Sequence, residues 1–248
     1  MIVLISKKQI CALLLLLLLT GAAALGLGGG AREASGTAGM LQAEPIYVVD
    51  PGHGGEDGGA VAGDGTVESH INLAIALRLN DVMRFCGKTT CMTRREDKSI
   101  YSDGASTLRE KKVSDLKNRV AMVNSSGNAV LVSIHQNKMP EAPRVHGAQA
   151  FYNSVDGAAS LAKQVQSVLN EAINTGNAKT EKQISSTIYL MKHVTAPAVL
   201  IECGFLSNPD ETAALQKPEY QLKLAAAITS GLLNRSAEAE KPTPAEET

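Results

Sequence analysis

The feature that most narrows the fold is a set of short, continuously apolar runs that each stop at a polar residue. VLVSI (Val130–Ile134) runs into His135, AVLI (Ala198–Ile201) into Glu202, and IYVV (Ile46–Val49) into Asp50. Runs of this length without polar alternation belong to strands buried on both faces, as in a parallel sheet covered by helices. The strand candidates are Ile46–Asp50, Thr89–Thr93, Ala129–His135, Ala148–Asn153, Thr187–Leu190 and Ala198–Cys203. Helical periodicity marks Ser69–Phe85, Val113–Asn124, Gly157–Ile173 and Glu219–Leu233. In the last of these, Leu222, Ala226, Thr229 and Leu233 recur at three- and four-residue steps. Strands alternating with helices predict an α/β domain whose sheet is at least partly parallel.

The ends of the chain differ from its middle. Lys7 and Lys8 precede a leucine block (Leu13–Leu19) and then small residues, the three-part form of an export signal. Ile10–Leu27 also reaches the lower limit for spanning a bilayer. Residues 1–31 are therefore expected to be either a cleaved signal peptide or a retained membrane anchor. In both cases the remainder is exported, extracytoplasmic and in the cell envelope. Residues 32–44 are expected to form a linker, 45–235 one catalytic domain and 236–248 a disordered tail. The whole chain carries 24 Lys+Arg against 25 Asp+Glu and has no basic cluster interleaved with aromatics, which excludes nucleic acid as a partner. Without Lys7 and Lys8 the acidic excess grows, so attachment to an anionic wall needs a specific site rather than general charge. Four cysteines at irregular spacing exclude a disulfide scaffold. Cys86 and Cys91, on either side of a Gly-Lys turn, either bridge or remain free thiols.

Polar residues closing apolar strands have no packing purpose, and ligands bind at the carboxyl ends of parallel strands. His53 stands among Gly52, Gly54 and Gly55, where the chain can curl and either project the imidazole into a cleft or leave it in solvent on a turn. His135 and Glu202 end two further strands, and an ionised carboxylate after Val199-Leu200-Ile201 is costly to bury unless it is paired or metal-bound. A catalytic zinc takes three N/O ligands and leaves a position for water. Glu56, Asp57, Asp64, Glu68 and His70 are all candidates for the third ligand. Glu68 opens the helix that carries Ile71, Ile75 and Leu79, which would hold it rigidly, whereas Asp57 and Asp64 suit turns and His70 a solvated first turn. Arg94 and Arg119 are expected to pair with nearby acidic residues rather than with substrate. This reading allows a zinc hydrolase, including a zinc peptidase of other specificity. It also allows an inactive wall-binding module, which would lack one of the four residues; none is missing.

DPGHGGEDGGAVAGDGTVESHINL, SIHQN, GAQAFY and IECGFLSNPDE resemble, in order, the blocks of the zinc-dependent N-acetylmuramoyl-L-alanine amidases. The resemblance spans about residues 45–235. The compact form with YLMKHVTAPAVLIE is most similar to the spore-cortex branch, whose amidases prepare muramic δ-lactam formation. The resemblance implies a single domain with a twisted, mostly parallel six-stranded sheet flanked by helices. It implies Zn2+ held by His53, Glu68 and His135, with Glu202 catalytic and peptidoglycan, a glycan strand with its peptide stem, as substrate. Cys203 points to the opposite face and is not a ligand. Asn137 is expected either to bond the peptide stem or to cap its strand. A monomer is expected. The chain departs from the family at Ser69, often Lys, and at Gln136, commonly small. Only Asn153–Asp156 separate Tyr152 from the next helix, where some relatives insert an inhibitory helix, so an open groove is expected.

Overall fold

The computed structural model describes residues 44–239. In order these form β1 (Ile46–Pro51), α1 (Glu68–Phe85), β2 (Thr90–Met92), α2 (Leu108–Asn124), β3 (Ala129–Asn137) and β4 (Gln149–Tyr152). There follow α3 (Ala158–Ala172), β5 (Lys182–Gln183), α4 (Tyr189–His193), β6 (Ala198–Phe205), α5 (Pro209–Leu215) and α6 (Pro218–Ala239). The strands make one sheet in the order β2-β1-β3-β6-β4-β5, with only the β4–β6 pair antiparallel.

Side chains alternate between the faces of a strand, and here both faces are covered. Tyr47, Val49, Val130, Val132, Val199 and Ile201 face a core shared with Ile75 and Leu79 of α1, Leu161 and Val165 of α3, and Ile228 of α6. Val48, Leu131 and Leu200 face a second core with Val123 of α2 and with Leu190 and Met191 of α4. Two-faced burial is the reason these strands read as unbroken apolar runs. It also leaves the carboxyl ends of β1, β3 and β6 side by side at one edge of the sheet.

Four expectations need correction. Thr187–Leu190 is not a strand: Ile188 is exposed and precedes α4, whose Leu190 and Met191 are buried, while the sixth strand is the exposed pair Lys182–Gln183. A short apolar run cannot by itself separate strand from helix. α2 begins at Leu108 rather than Val113, because Thr107 and Glu110 form a reciprocal capping box. α5, not anticipated, starts where Asn208 caps the backbone of Asp210 and Glu211 and Pro209 takes the first helical position. In α6, Leu224, Ala225, Ile228 and Leu232 form the core face and Leu222 is exposed, so the apolar stripe lies about one residue off the one read from sequence.

α6 continues to Ala239, so the first residues of the segment read as a tail are helical. The expected signal or anchor, all of the expected linker but Glu44, and the rest of the tail lie outside the described residues. Among the described residues no helix is long and apolar enough to cross a membrane. Cys86 is exposed, Cys91 half-buried and Cys203 buried, and all three thiols are free.

Candidate metal centre

β1 delivers His53 through a turn that passes through positive φ at three successive residues. His53 itself adopts φ 61°, and Gly54 and Gly55 follow at φ 136° and φ 56°. A non-glycine residue in that region costs about 1–2 kcal/mol, and the turn is held by contacts on every side. Arg119 donates to the carbonyls of Pro51 (2.9 Å) and His53 (2.7 Å), and Arg94 to those of Pro51, Gly52 and Ser69 (3.0 Å each). Below the turn, buried Asp50 accepts from Arg119 (2.6 Å), Thr93 (2.6 Å) and Ser133 (2.7 Å). Burial alone would raise the Asp50 carboxyl, but Arg119 and the two hydroxyls outweigh it and hold it below the usual carboxylate range. Arg119 also pairs with Asp115 at 2.7 Å. Arg94 mainly binds backbone carbonyls and approaches Asp97 only at 3.9 Å.

α1 delivers Glu68 from its first residue. Val67 offers no side-chain cap; instead the amides of Glu68 and Ser69 donate to the carbonyls of Ala60 and Gly58 (2.9 and 3.0 Å), which locks the glycine-rich loop onto the helix end. Glu68 Oε2 accepts from the Ala60 amide at 2.8 Å, and Oε1 accepts from Asn72 Nδ2 and the Gln136 amide, both at 3.1 Å. β3 delivers His135. A Cβ at Gly52 would overlap the His135 ring, and one at Gly59 would press on Glu68 and His53, so two of the glycines are spaces that the site's side chains occupy.

Glu68 Oε1 lies 3.3 Å from His53 Nε2 and 3.1 Å from His135 Nδ1. Ligand atoms of these three residues lie within 4.8 Å of one another, an arrangement that can hold a metal ion. The other nitrogen of His53, Nδ1, meets Asp57 Oδ2 at 3.0 Å. For His53 burial favours the neutral ring, but Asp57 and Glu68 prevail and raise its pKa to about 9. Burial would raise Glu68, and the two imidazoles overcome this and hold it well below the carboxylate range.

β6 delivers Glu202 opposite His135 in the strand register. Its Oε2 is buried without a hydrogen-bond partner, and burial, reinforced by the Glu68 charge, pushes the carboxyl up to about 7 against the opposing pull of His135. His53, His135, Glu202, Asp57, Ile188 and Tyr189 line one cleft of about 380 Å3. β4 ends at Tyr152 and α3 starts at Ala158, with no helix between them.

The remaining candidates lie elsewhere. His70 pairs with Asp97 at an exposed position, Glu56 pairs with Lys111, and Asp64 accepts from the Thr66 amide. Asn137 uses its Oδ1 on the Lys138 amide at 2.7 Å and is absent from the cleft lining. Asp57, assigned to a turn, does bridge Gly54 in the loop, yet its carboxylate reaches His53; no spacing rule signals that contact.

Residues 48–234 match the family described as N-acetylmuramoyl-L-alanine amidase. The germination-specific N-acetylmuramoyl-L-alanine amidase of Bacillus subtilis is 39% identical over 198 residues, covering 79% of this chain and 82% of the relative. The amidase AmiA of Escherichia coli is 27% identical over 232 residues, covering 76% of this chain and 75% of its own length. Among solved structures, CwlD amidase from Clostridioides difficile, in complex with the GerS lipoprotein, superposes with TM-score 0.74 at 37% identity. That match covers 79% of this chain and 100% of the chain in that structure. A family match over residues 48–234, a 39%-identical amidase and a superposing amidase structure make one assignment: the chain belongs to the N-acetylmuramoyl-L-alanine amidase family.

Proposed function

We propose that residues 45–235 are a zinc-dependent catalytic domain that hydrolyses the amide between N-acetylmuramic acid and L-alanine in peptidoglycan, in wall remodelling or spore cortex maturation. His53 through Nε2, Glu68 through Oε1 and His135 through Nδ1 would hold the metal. Tetrahedral zinc with bonds of about 2.0–2.1 Å places its ligand atoms about 3.3 Å apart, and the separations of 3.3 and 3.1 Å from Glu68 Oε1 suit that ion. When bound, zinc acidifies a water and polarises the scissile carbonyl.

Glu202 does the proton work. Its unpartnered, buried Oε2, in the cleft that His53 and His135 also line, is the observation that carries this reading. Burial makes Glu202 a stronger base than a solvated carboxylate. It takes the proton of the attacking water and returns it to the departing L-alanine nitrogen, leaving a lactyl carboxylate on the sugar and a free amine on the peptide. Asn137 lies outside the cleft lining and accepts from the Lys138 amide, which supports the strand-end cap rather than a contact with the peptide stem. The related CwlD, solved with a lipoprotein, supports a protein partner for this chain as well. The N-terminal basic and leucine-rich segment supports export, with either secretion or membrane attachment following.

Mass spectrometry of muropeptides after digestion by the zinc-loaded protein tests the activity. Free stem peptides beginning with L-alanine are the expected product. Cleavage only within the stem, or of a casein-type substrate, would support a peptidase instead.

A further inference from the structure

We propose that Asp57 is a positioning residue for the metal centre: through Oδ2 it fixes the His53 imidazole with its proton on Nδ1 and its Nε2 lone pair turned toward Glu68 and His135. This rests on the reading that His53, Glu68 and His135 hold a metal, and it concerns a residue outside that ligand set.

Three observations carry it. First, Asp57 Oδ2 sits 3.0 Å from His53 Nδ1, while the opposite nitrogen, Nε2, is the one 3.3 Å from Glu68 Oε1. The carboxylate therefore stands behind the ring, on the side away from the cluster, where it orients the ring without competing for the ion. Second, the loop is built to put it there. Gly54 and Asp57 exchange backbone hydrogen bonds (Gly54 N to Asp57 O, 2.8 Å; Asp57 N to Gly54 O, 3.2 Å), folding the chain back on His53 within four residues. Third, the carboxylate is also held by the Lys112 ammonium of α2, 3.2 Å from Oδ2 and 3.4 Å from Oδ1. Lys112 is more than half exposed, and its contact leaves the carboxylate aimed at the ring.

Chemistry makes the arrangement purposeful. A neutral imidazole has two tautomers, and only the one protonated at Nδ1 presents a lone pair at Nε2. A carboxylate hydrogen-bonded to the far nitrogen selects that tautomer, stops ring rotation and raises the basicity of the ligating nitrogen. Glu68 receives comparable support from Asn72, the Gln136 amide and the Ala60 amide, so Asp57 completes the outer support of the set on the His53 side.

The test is zinc affinity, by competition with a chromophoric chelator, for the whole exported chain and its Asp57→Asn and Asp57→Leu variants. Each metal-free protein is first compared with the parent by circular dichroism and thermal unfolding. Asp57→Leu removes the acceptor and should bind zinc about 10–100-fold more weakly. Asp57→Asn keeps an acceptor without the charge and should recover part of the loss; being isosteric and half-exposed, it folds even where the leucine variant does not. Nitrogen-15 spectra of the zinc-loaded parent should show His53 protonated at Nδ1, and Asp57→Asn should broaden or shift that signal. If the parent binds zinc and both variants bind it as tightly with an unchanged His53 signal, Asp57 only staples the loop and the proposal is overturned. If the parent itself binds no zinc, the metal reading fails and takes the proposal with it.

Discussion

His135 and Glu202 face each other across adjacent parallel strands, paired in the register of β3 and β6. One strand end supplies a nitrogen to the metal cluster and the other a carboxylate with a bare oxygen in the same cleft. The pair is set by the backbone ladder rather than by loops, so the sheet itself fixes the spacing between the proposed base and the proposed ligand His135. The division of labour between the two acids follows from their surroundings. Glu68, hydrogen-bonded on both oxygens and beside two imidazoles, is held below the carboxylate range, which suits the proposed ligand, whereas Glu202, desolvated and with Oε2 unpartnered, is pushed up to about 7, which suits the proposed base.

Glu202→Gln keeps the shape and removes the basicity. It should retain stoichiometric zinc by elemental analysis and lose about 10²–10⁴-fold in the rate of L-alanine amine release, the usual worth of a general base. Wild-type turnover in this variant contradicts the role.

The pH profile follows from the same residue. A base acts only when deprotonated, so kcat/KM falls as the pH drops through the Glu202 pKa. That value is about 7 without a cation, and a bound dication lowers it. The acid limb should therefore lie at or below about 7, and Glu202→Gln should flatten it at constant zinc content. Full activity of the parent below about pH 4, the ordinary range for a solvated Glu, contradicts this.

Arg119→Met should be costly to stability. It strips the ion-pair partner from Asp50 and leaves a buried charge facing only two hydroxyls. Breaking a buried pair this way costs about 3–5 kcal/mol, read as a lowered denaturant midpoint. Because the Asp50 carboxyl is depressed in the fold, its contribution is fully present above the unfolded value of about 4 and fades as pH falls through the lower folded value. The parent should accordingly lose stability below pH 4 more steeply than Arg119→Met. Equal midpoints for the two proteins at neutral pH contradict it.

Gly52→Ala places a methyl where the His135 ring stands. The ring must rotate away from Glu68, and zinc binding should weaken by at least tenfold while the circular dichroism spectrum keeps its α/β form. Unchanged zinc affinity shows that the ring has another seat.

The strands that hold the site were readable because β1, β3 and β6 are buried on both faces, and burial on that scale leaves an unbroken apolar signature. Thr187–Leu190 misled because Ile188 and Leu190 satisfy strand and helix alike until the neighbouring core is known. The start of α2 was legible in Thr107 and Glu110, a capping pair that apolar periodicity overlooks. His135 and Glu202 stood out as polar residues ending apolar strands, and Glu68 as the acid that opens a helix. Asp57 did not, since its reach depends on the backbone of His53–Gly55 taking positive φ values that no residue spacing encodes.

Anomalous diffraction at the zinc edge from crystals of the zinc-loaded protein tests the central claim most directly. A single peak bonded at about 2.0–2.2 Å to His53 Nε2, Glu68 Oε1 and His135 Nδ1, with the Glu202 carboxylate facing it unbonded, is the predicted result. A peak elsewhere, or one that takes Glu202 as a ligand in place of any of the three, contradicts it.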